Sequence, residues 1–443
     1  MKVLRAIYLS NRLFAAIGII VASALLGYAI GGLESFARAL LYLLLSLVII
    51  DILLLFRVKK GVTASRFAPE KFSNGDQNPI RIFIQNMYQF KAKLLVIDEV
   101  PDQFQMREAS FDVEVAASGS KAINYELRPV KRGEYHFGKT NVFVKSPLGL
   151  ISRRFQFGES TMIPVYPSYI QMRKYELLAI SNQLTLQGVK KIRRLGHNQE
   201  FEQIKEYVPG DDFRIINWKA TARKDQLMVN NYQDERSQQV YCLIDKSRVM
   251  QMPFEGLSLL DYAINATLAL SNIIIKKGDR AGMITFQHKV STVLPASKRN
   301  KQMQLIQESL YNQKTLYKEA DYSRLFITVK RKLTQRSLLL LFTNFESMAA
   351  LERQLPYFSN LAKNHVLVVV FFQNTELKDL LESRPKSVKD IYFKTIAEKY
   401  DHEKRLIVKE LRKHGIYSVL TPPQDLTVNT INKYLELKSR GLI

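Results

Sequence analysis

The sequence predicts a multidomain chain in three parts: two transmembrane helices, then an antiparallel β-sandwich, then an α/β doubly wound domain. Three observations predict it. Two apolar runs, residues 13–33 and 39–56, stand close together near the N-terminus. From about residue 61 to 166, short stretches alternate polar and apolar residues with period two and are broken by turn residues, the pattern of half-buried strands. From residue 239 onward, apolar runs of strand length alternate with stretches of helical periodicity, which implies a parallel, doubly wound sheet. The boundaries then fall at 1–60 for the hairpin, 61–166 for the sandwich, 167–237 for a connector and 238–443 for the α/β domain.

Residues 13–33 carry no charge, and residues 39–56 carry only Asp51. Each run approaches the roughly 20 residues that cross a hydrocarbon core. A short connection forces the second helix back across, because only structures that satisfy their own backbone hydrogen bonds persist in lipid. Lys2, Arg5 and Arg12 precede the first run and Arg57, Lys59 and Lys60 follow the second, whereas the connection holds Arg38 with Glu34. The basic flanks predict a multi-pass protein of the cell inner membrane with both termini cytoplasmic. A cleaved signal peptide is the rival for the first run, but that run is long for a signal core and a second follows at once. Asp51 is expected to snorkel towards Arg57 or to make a polar contact within the hairpin.

In the sandwich region Ile80, Ile82 and Ile84 alternate with Arg81 and Phe83, Phe111, Val113 and Val115 with Asp112 and Glu114, and Ile123, Tyr125 and Leu127 with Asn124 and Glu126. Further strands are expected at 135–137, 142–144 and 155–157. The connector is polar and carries the basic run Lys190, Lys191, Arg193, Arg194. In the last region strands are expected at 240–244, 282–286, 337–343, 366–372 and 417–420. Helices are expected at 257–277, 299–312, 322–334, 375–400, 402–413 and 425–437.

The single cysteine, Cys242, excludes an intrachain disulfide and is expected as a buried structural thiol. The net charge is +24; residues 1–60 hold seven Lys/Arg and two Asp/Glu, so +19 belongs to the rest. Such charge suits an anionic membrane surface or an acidic protein. Nucleic acid is the other usual partner, but no zinc finger, recognition helix or aromatic-interleaved basic platform is present. No phosphate-binding Gly-Xaa4-Gly-Lys loop, His-Glu-Xaa2-His or Gly-Xaa-Ser-Xaa-Gly is present either, and the six histidines have no ligand spacing. No catalytic residue is assigned.

The densest stretch is Glu206-Tyr-Val-Pro-Gly-Asp-Asp-Phe-Arg-Ile-Ile-Asn-Trp-Lys-Ala-Thr-Ala-Arg223. Pro209-Gly210 reads as a turn, and Asp211 or Asp212 as the cap of a helix over 213–220. This stretch resembles the signature of the bacterial domain-of-unknown-function family 58. The resemblance extends to the two N-terminal spans, to Arg132-Gly133-Glu134-Tyr135, to Pro147-Leu148-Gly149-Leu150 and to a terminal von Willebrand A-type domain. It implies association with a MoxR-type AAA+ ATPase.

Two readings of the motif residues, which include Asn217, Lys219 and Arg223, stand side by side. Glu206, Asp211 and Asp212 could form a carboxylate cluster for metal-dependent hydrolysis. The preferred reading is structural: Asp212 and Arg214 cap and clamp a turn while Trp218 and Tyr207 fill a core. The second candidate site is Asp245 with Ser247, directly after the first strand of the α/β domain. In von Willebrand A-type domains this place is similar to a metal-ion-dependent adhesion site that gives oxygen ligands to Mg²⁺. Val249 stands where a second serine is expected, and Thr343-Asn344 where Thr-Asp is expected, so the metal set of Asp245, Ser247 and Asn344 is degenerate. The expected function is a membrane-anchored, non-enzymatic scaffold that binds a protein through this site.

Overall fold

The computed structural model describes residues 6–29, 33–106, 109–180, 199–208, 213, 216–224, 226–234, 237–374, 381 and 387–443. The chain divides into two compact units, Met1–Tyr166 and Pro167–Ile443.

The first unit opens with β1 (Ile7–Leu9), α1 (Asn11–Ala29) and α2 (Leu33–Phe56). Strands follow as β2 (Val62–Phe67), β3 (Phe72–Ser73), β4 (Asn78–Asn86), β5 (Ala92–Asp98), β6 (Ala109–Val115), β7 (Ser120–Leu127), β8 (Gly133–Phe137), β9 (Thr140–Lys145), β10 (Ile151–Phe157) and β11 (Thr161–Tyr166). They form sheets ordered β1-β10-β9-β5-β6, β2-β4-β7 and β3-β11-β8, antiparallel except for the pair β3 and β11. In β4 the isoleucines point in and Arg81 and Phe83 point out, as period two requires. Ile82 and Ile84 of β4, Val62 of β2 and Ile123 of β7 pack against Leu94, Val96, Val142 and Val144 of the five-stranded sheet. Two sheets thus close on one core. Gly133 holds φ +130, a conformation only glycine adopts readily, and lets Tyr135 turn inward, where its hydroxyl donates to the Lys131 carbonyl at 2.9 Å.

Among the described residues one helix, Ser35–Phe56, is long and apolar enough to cross a membrane; the apolar stretch Asn11–Leu26 is shorter. Asp51 departs from both expectations, snorkelling towards Arg57 and a polar contact within the hairpin. It is fully buried and accepts from the Ser146 hydroxyl, from Leu148 N at 3.4 Å and from Leu150 N at 3.2 Å, all in the turn between β9 and β10. The end of α2 is held by the sandwich as well. Tyr88 OH donates to the Leu55 carbonyl at 2.9 Å, and Arg153 donates to the carbonyls of Leu55 at 2.7 Å, Val58 at 2.9 Å and Lys59 at 3.0 Å. These donors satisfy carbonyls that a helix C-terminus leaves without intrahelical partners.

The second unit contains α3 (Tyr169–Ile180), β12 (Gln199–Glu206), α4 (Trp218–Lys224), β13 (Met228–Asp234), β14 (Gln239–Asp245), β15 (Pro253–Phe254), β16 (Leu257–Ser258), α5 (Leu259–Lys276), β17 (Arg280–Phe286), β18 (Val290–Ser297), α6 (Gln302–Tyr311), α7 (Tyr322–Lys332), β19 (Leu338–Phe342), α8 (Met348–Glu352), α9 (Leu355–Asn364), β20 (Val366–Phe372), α10 (Val388–Lys413), β21 (Tyr417–Thr421) and α11 (Leu426–Ser439). Its main sheet runs β18-β17-β14-β19-β20-β21. Five strands are parallel, and β18 pairs antiparallel at the edge. Residues alternate between faces: Val240, Cys242 and Ile244 pack with α5, α6 and α11, while Tyr241 and Leu243 pack with α7, α9 and α10. Helix α5 starts at a capping box in which Ser258 and Asp261 satisfy each other's backbone amides.

The second unit differs from the sequence expectations in three places. The strand Val290–Ser297 was not expected; its buried side is partial and Pro295 interrupts it, so it lacks the run that marked its neighbours. The helices expected at 375–400 and 402–413 are, within the described residues, one continuous helix over Val388–Lys413. The start of the expected connector belongs to the second unit: Ser168 N donates to Asn265 of α5 at 2.9 Å, and Glu176 of α3 accepts from Asn272 at 2.8 Å.

Candidate functional site

The strand order places β14 and β19 side by side, with the helix after β14 on one face and those after β19 on the other. The crevice beyond their C-terminal ends is where open α/β sheets place ligands. Strand β14, buried at six of its seven positions, ends at Asp245. Strand β19 ends at Phe342 and is followed by Thr343 and Asn344.

Asp245 is fully buried. Its Oδ1 accepts from Ser247 N at 2.8 Å; its Oδ2 accepts from the Thr343 hydroxyl at 2.7 Å and from Tyr322 OH at 3.1 Å. Burial pushes the Asp245 carboxyl up, and these hydrogen bonds oppose the shift. Tyr322, at the first turn of α7, is pushed up in turn by burial and by the facing carboxylate. Its ring is fixed edge-on to Phe286 and Phe358 at 5.4 and 5.2 Å. The expected carboxylate and Thr343 therefore do meet, but a tyrosine from another helix completes the cluster.

Asn344 is engaged differently. Its Oδ1 accepts from Lys404 Nζ of α10 at 2.6 Å. Lys404 is 2% exposed, with its ammonium 5.6 Å from the Phe371 ring and 5.4 Å from the Tyr400 ring. Burial pulls it down to about 7, against the attraction of Glu346. The crevice mouth has a cavity of about 100 Å³ rimmed by the exposed charges Arg248, Glu319, Glu346 and Arg353.

Mg²⁺ does not fit these residues. The ion needs oxygen donors in near-octahedral array and gives up water reluctantly. Both oxygens of Asp245 already accept from protein donors, Val249 supplies no hydroxyl, and the oxygen of Asn344 faces an amine that donates to it. Among the described residues no three His, Cys, Asp or Glu side chains come together as a metal set.

The motif segment forms a separate arm. β12 pairs antiparallel with β13, and Tyr207 N donates to the Leu227 carbonyl at 2.8 Å. Asn217 is its organiser: its Oδ1 accepts from Ala220 N at 3.0 Å, which caps α4, and its Nδ2 donates to Asn230 at 2.8 Å. The helix expected over 213–220 therefore starts later, at Trp218, with Asn217 as its cap. Trp218 does not fill a core as expected: it is 70% exposed, and Phe213 is 71% exposed. Tyr207 is half-buried, and Glu206, Lys219 and Arg223 are exposed. Pro209, Gly210, Asp211, Asp212 and Arg214 lie outside the described residues, so the proposed meeting of Glu206 with Asp211 and Asp212 does too.

Residues 203–380 match the family described as protein of unknown function DUF58. The matched segment begins within β12 and holds the rest of the motif arm, Asp245 and Asn344, and ends before Lys404. The uncharacterized protein YeaD of Bacillus subtilis (strain 168) is 30% identical over 164 residues, 37% of this chain and 39% of that protein. The chain thus matches about two fifths of this relative's length. Among solved structures, conserved hypothetical protein BatB from Bacteroides thetaiotaomicron is 14% identical, with a TM-score of 0.31 over 46% of this chain and 100% of that one. Native alpha-2-macroglobulin from Escherichia coli is 19% identical, with a TM-score of 0.20 over 24% of this chain and 16% of that one.

Proposed function

We propose that the chain is a membrane-anchored, non-enzymatic adaptor. The hairpin of α1 and α2 holds it in a bacterial inner membrane with both soluble units on the cytoplasmic side. The second unit acts as a von Willebrand A-like domain that docks a protein at its strand-end crevice. The observation that carries this reading is the state of Asp245, whose carboxylate is spent on Ser247, Thr343 and Tyr322. A group so engaged shapes the crevice edge instead of reaching a reactant. The cavity, about 100 Å³, is also well below the roughly 300–1,000 Å³ of small-molecule sites. The exposed rim charges of both signs suit a protein surface, where complementary charge sets partner choice.

The partner we propose is a MoxR-type AAA+ ATPase, on the strength of the motif resemblance. Exposed Trp218 and Phe213 on the motif arm offer a second contact of the residue type that dominates protein interfaces. The basic excess of the body favours the anionic membrane surface over nucleic acid. Affinity capture from detergent-solubilised membranes tests the proposal. The wild-type chain recovers an ATPase of this class, and Glu346→Lys with Arg353→Glu lowers recovery about tenfold, as loss of about 1.4 kcal/mol would. No ATPase in the wild-type capture sinks it.

A further inference from the structure

The joint between hairpin and sandwich has a composition that anchoring alone does not require. Asp51 of α2 and Ser10, just before α1, grip the same turn from two sides. Asp51 accepts from Ser146, Leu148 and Leu150, while Ser10 N donates to the Leu150 carbonyl at 3.1 Å and its hydroxyl to the Gly149 carbonyl at 2.6 Å. Gly149 holds φ +76, and the Arg12 guanidinium lies across it, 3.0 Å from where a side chain would begin. The sandwich therefore reaches up beside the helices to the level of Asp51.

That level can be placed. Asp51 lies five residues before Phe56, where the membrane-length apolar helix Ser35–Phe56 ends, so it sits about 7.5 Å short of that end at 1.5 Å per residue. In a hydrocarbon core about 30 Å thick, the turn thus reaches the outermost acyl layer, just beneath the headgroups. At this level Leu9 is 53% and Leu148 42% exposed. Arg12, whose guanidinium lies against Gly149 of the turn, is exposed, as are Arg57, Lys59 and Lys60 just after α2. The only acidic residues among 1–60 are Glu34, at the far end of α2, and the buried Asp51. Apolar residues beside uncompensated cations match a headgroup layer bearing phosphate, in which cations are drawn to anionic lipid.

We propose that this joint is a lipid-binding foot: Arg12, Arg57, Lys59 and Lys60 bind the phosphates of anionic phospholipids while Leu9 and Leu148 enter the acyl boundary. The inference rests on the membrane anchoring proposed above and adds to it a specific lipid chemistry and depth. It is tested on the full chain in vesicles of phosphatidylcholine, with and without phosphatidylglycerol. Flotation reads anchoring. A fluorophore on Leu148→Cys, in a chain whose own Cys242 is buried, reads depth through quenching by lipid spin-labelled near the headgroup. Tm reads lipid binding.

The expected result is flotation and quenching in both vesicles and a higher Tm with phosphatidylglycerol. That rise in Tm is lost when Arg12, Arg57, Lys59 and Lys60 are all changed to Gln. A chain that floats but is unquenched at position 148, or has one Tm in both lipids, overturns the foot and leaves anchoring intact. A chain that fails to float overturns both.

Discussion

At the scale of single residues, Lys404 sets the electrostatics beneath the crevice. It is held at about 7, against 10.5 for a free lysine, because burial penalises its charge. Between those two values the unfolded chain binds more protons than the folded one, so this contribution to stability is fully present above pH 10.5 and lost as pH falls through about 7. The slope approaches about 1.4 kcal/mol per pH unit. Thermal unfolding of the second unit in detergent, compared for wild type and Lys404→Met, should show wild type gaining about 2 kcal/mol on the variant from pH 7 to pH 9. Equal pH dependence would contradict the burial. The sequence marked Asp245, Ser247 and Asn344 through their place after apolar strands, but neither Lys404 nor Tyr322. Lys404 sits in the charged run 401–405, which reads as solvated, and only the packing of α10 over Phe371 removes it from water. Tyr322 is one of 21 tyrosines, with no spacing that points it at Asp245.

At the scale of elements, legibility follows burial. Strands β14, β19 and β20 are apolar runs buried on both faces, and they stand where the sequence put them. The edge strand β18 is half-solvated and so carries no such run. In the motif arm the sequence showed a turn and a helix but not the cap, because Asp211, Asp212 and Asn217 all belong to the residue class that caps helices. The joint between α2 and the β9–β10 turn was not legible, since Asp51 and Ser146 lie 95 residues apart. Its energetics are testable. Asp51→Ala removes the acceptor shared by Ser146, Leu148 and Leu150, and each lost partner costs about 1–3 kcal/mol. Amide exchange at Leu150 should accelerate about tenfold or more in detergent-solubilised chain. Unchanged exchange would show that the carboxylate does not hold the turn.

At the scale of the whole molecule, the proposed function requires α1 and α2 to cross a bilayer as a pair, with the basic flanks Lys2, Arg5, Arg12 and Arg57, Lys59, Lys60 on one side. The soluble units then share the compartment that holds ATP, as an adaptor for a AAA+ ATPase must. The most direct measurement labels single cysteines with a membrane-impermeant maleimide on intact spheroplasts, with Cys242 shielded by burial. Gly32→Cys, between the helices, should label from outside, whereas Glu159→Cys and Lys298→Cys, at exposed positions of the two units, should label only after lysis. Labelling of either soluble unit in intact spheroplasts would contradict the account.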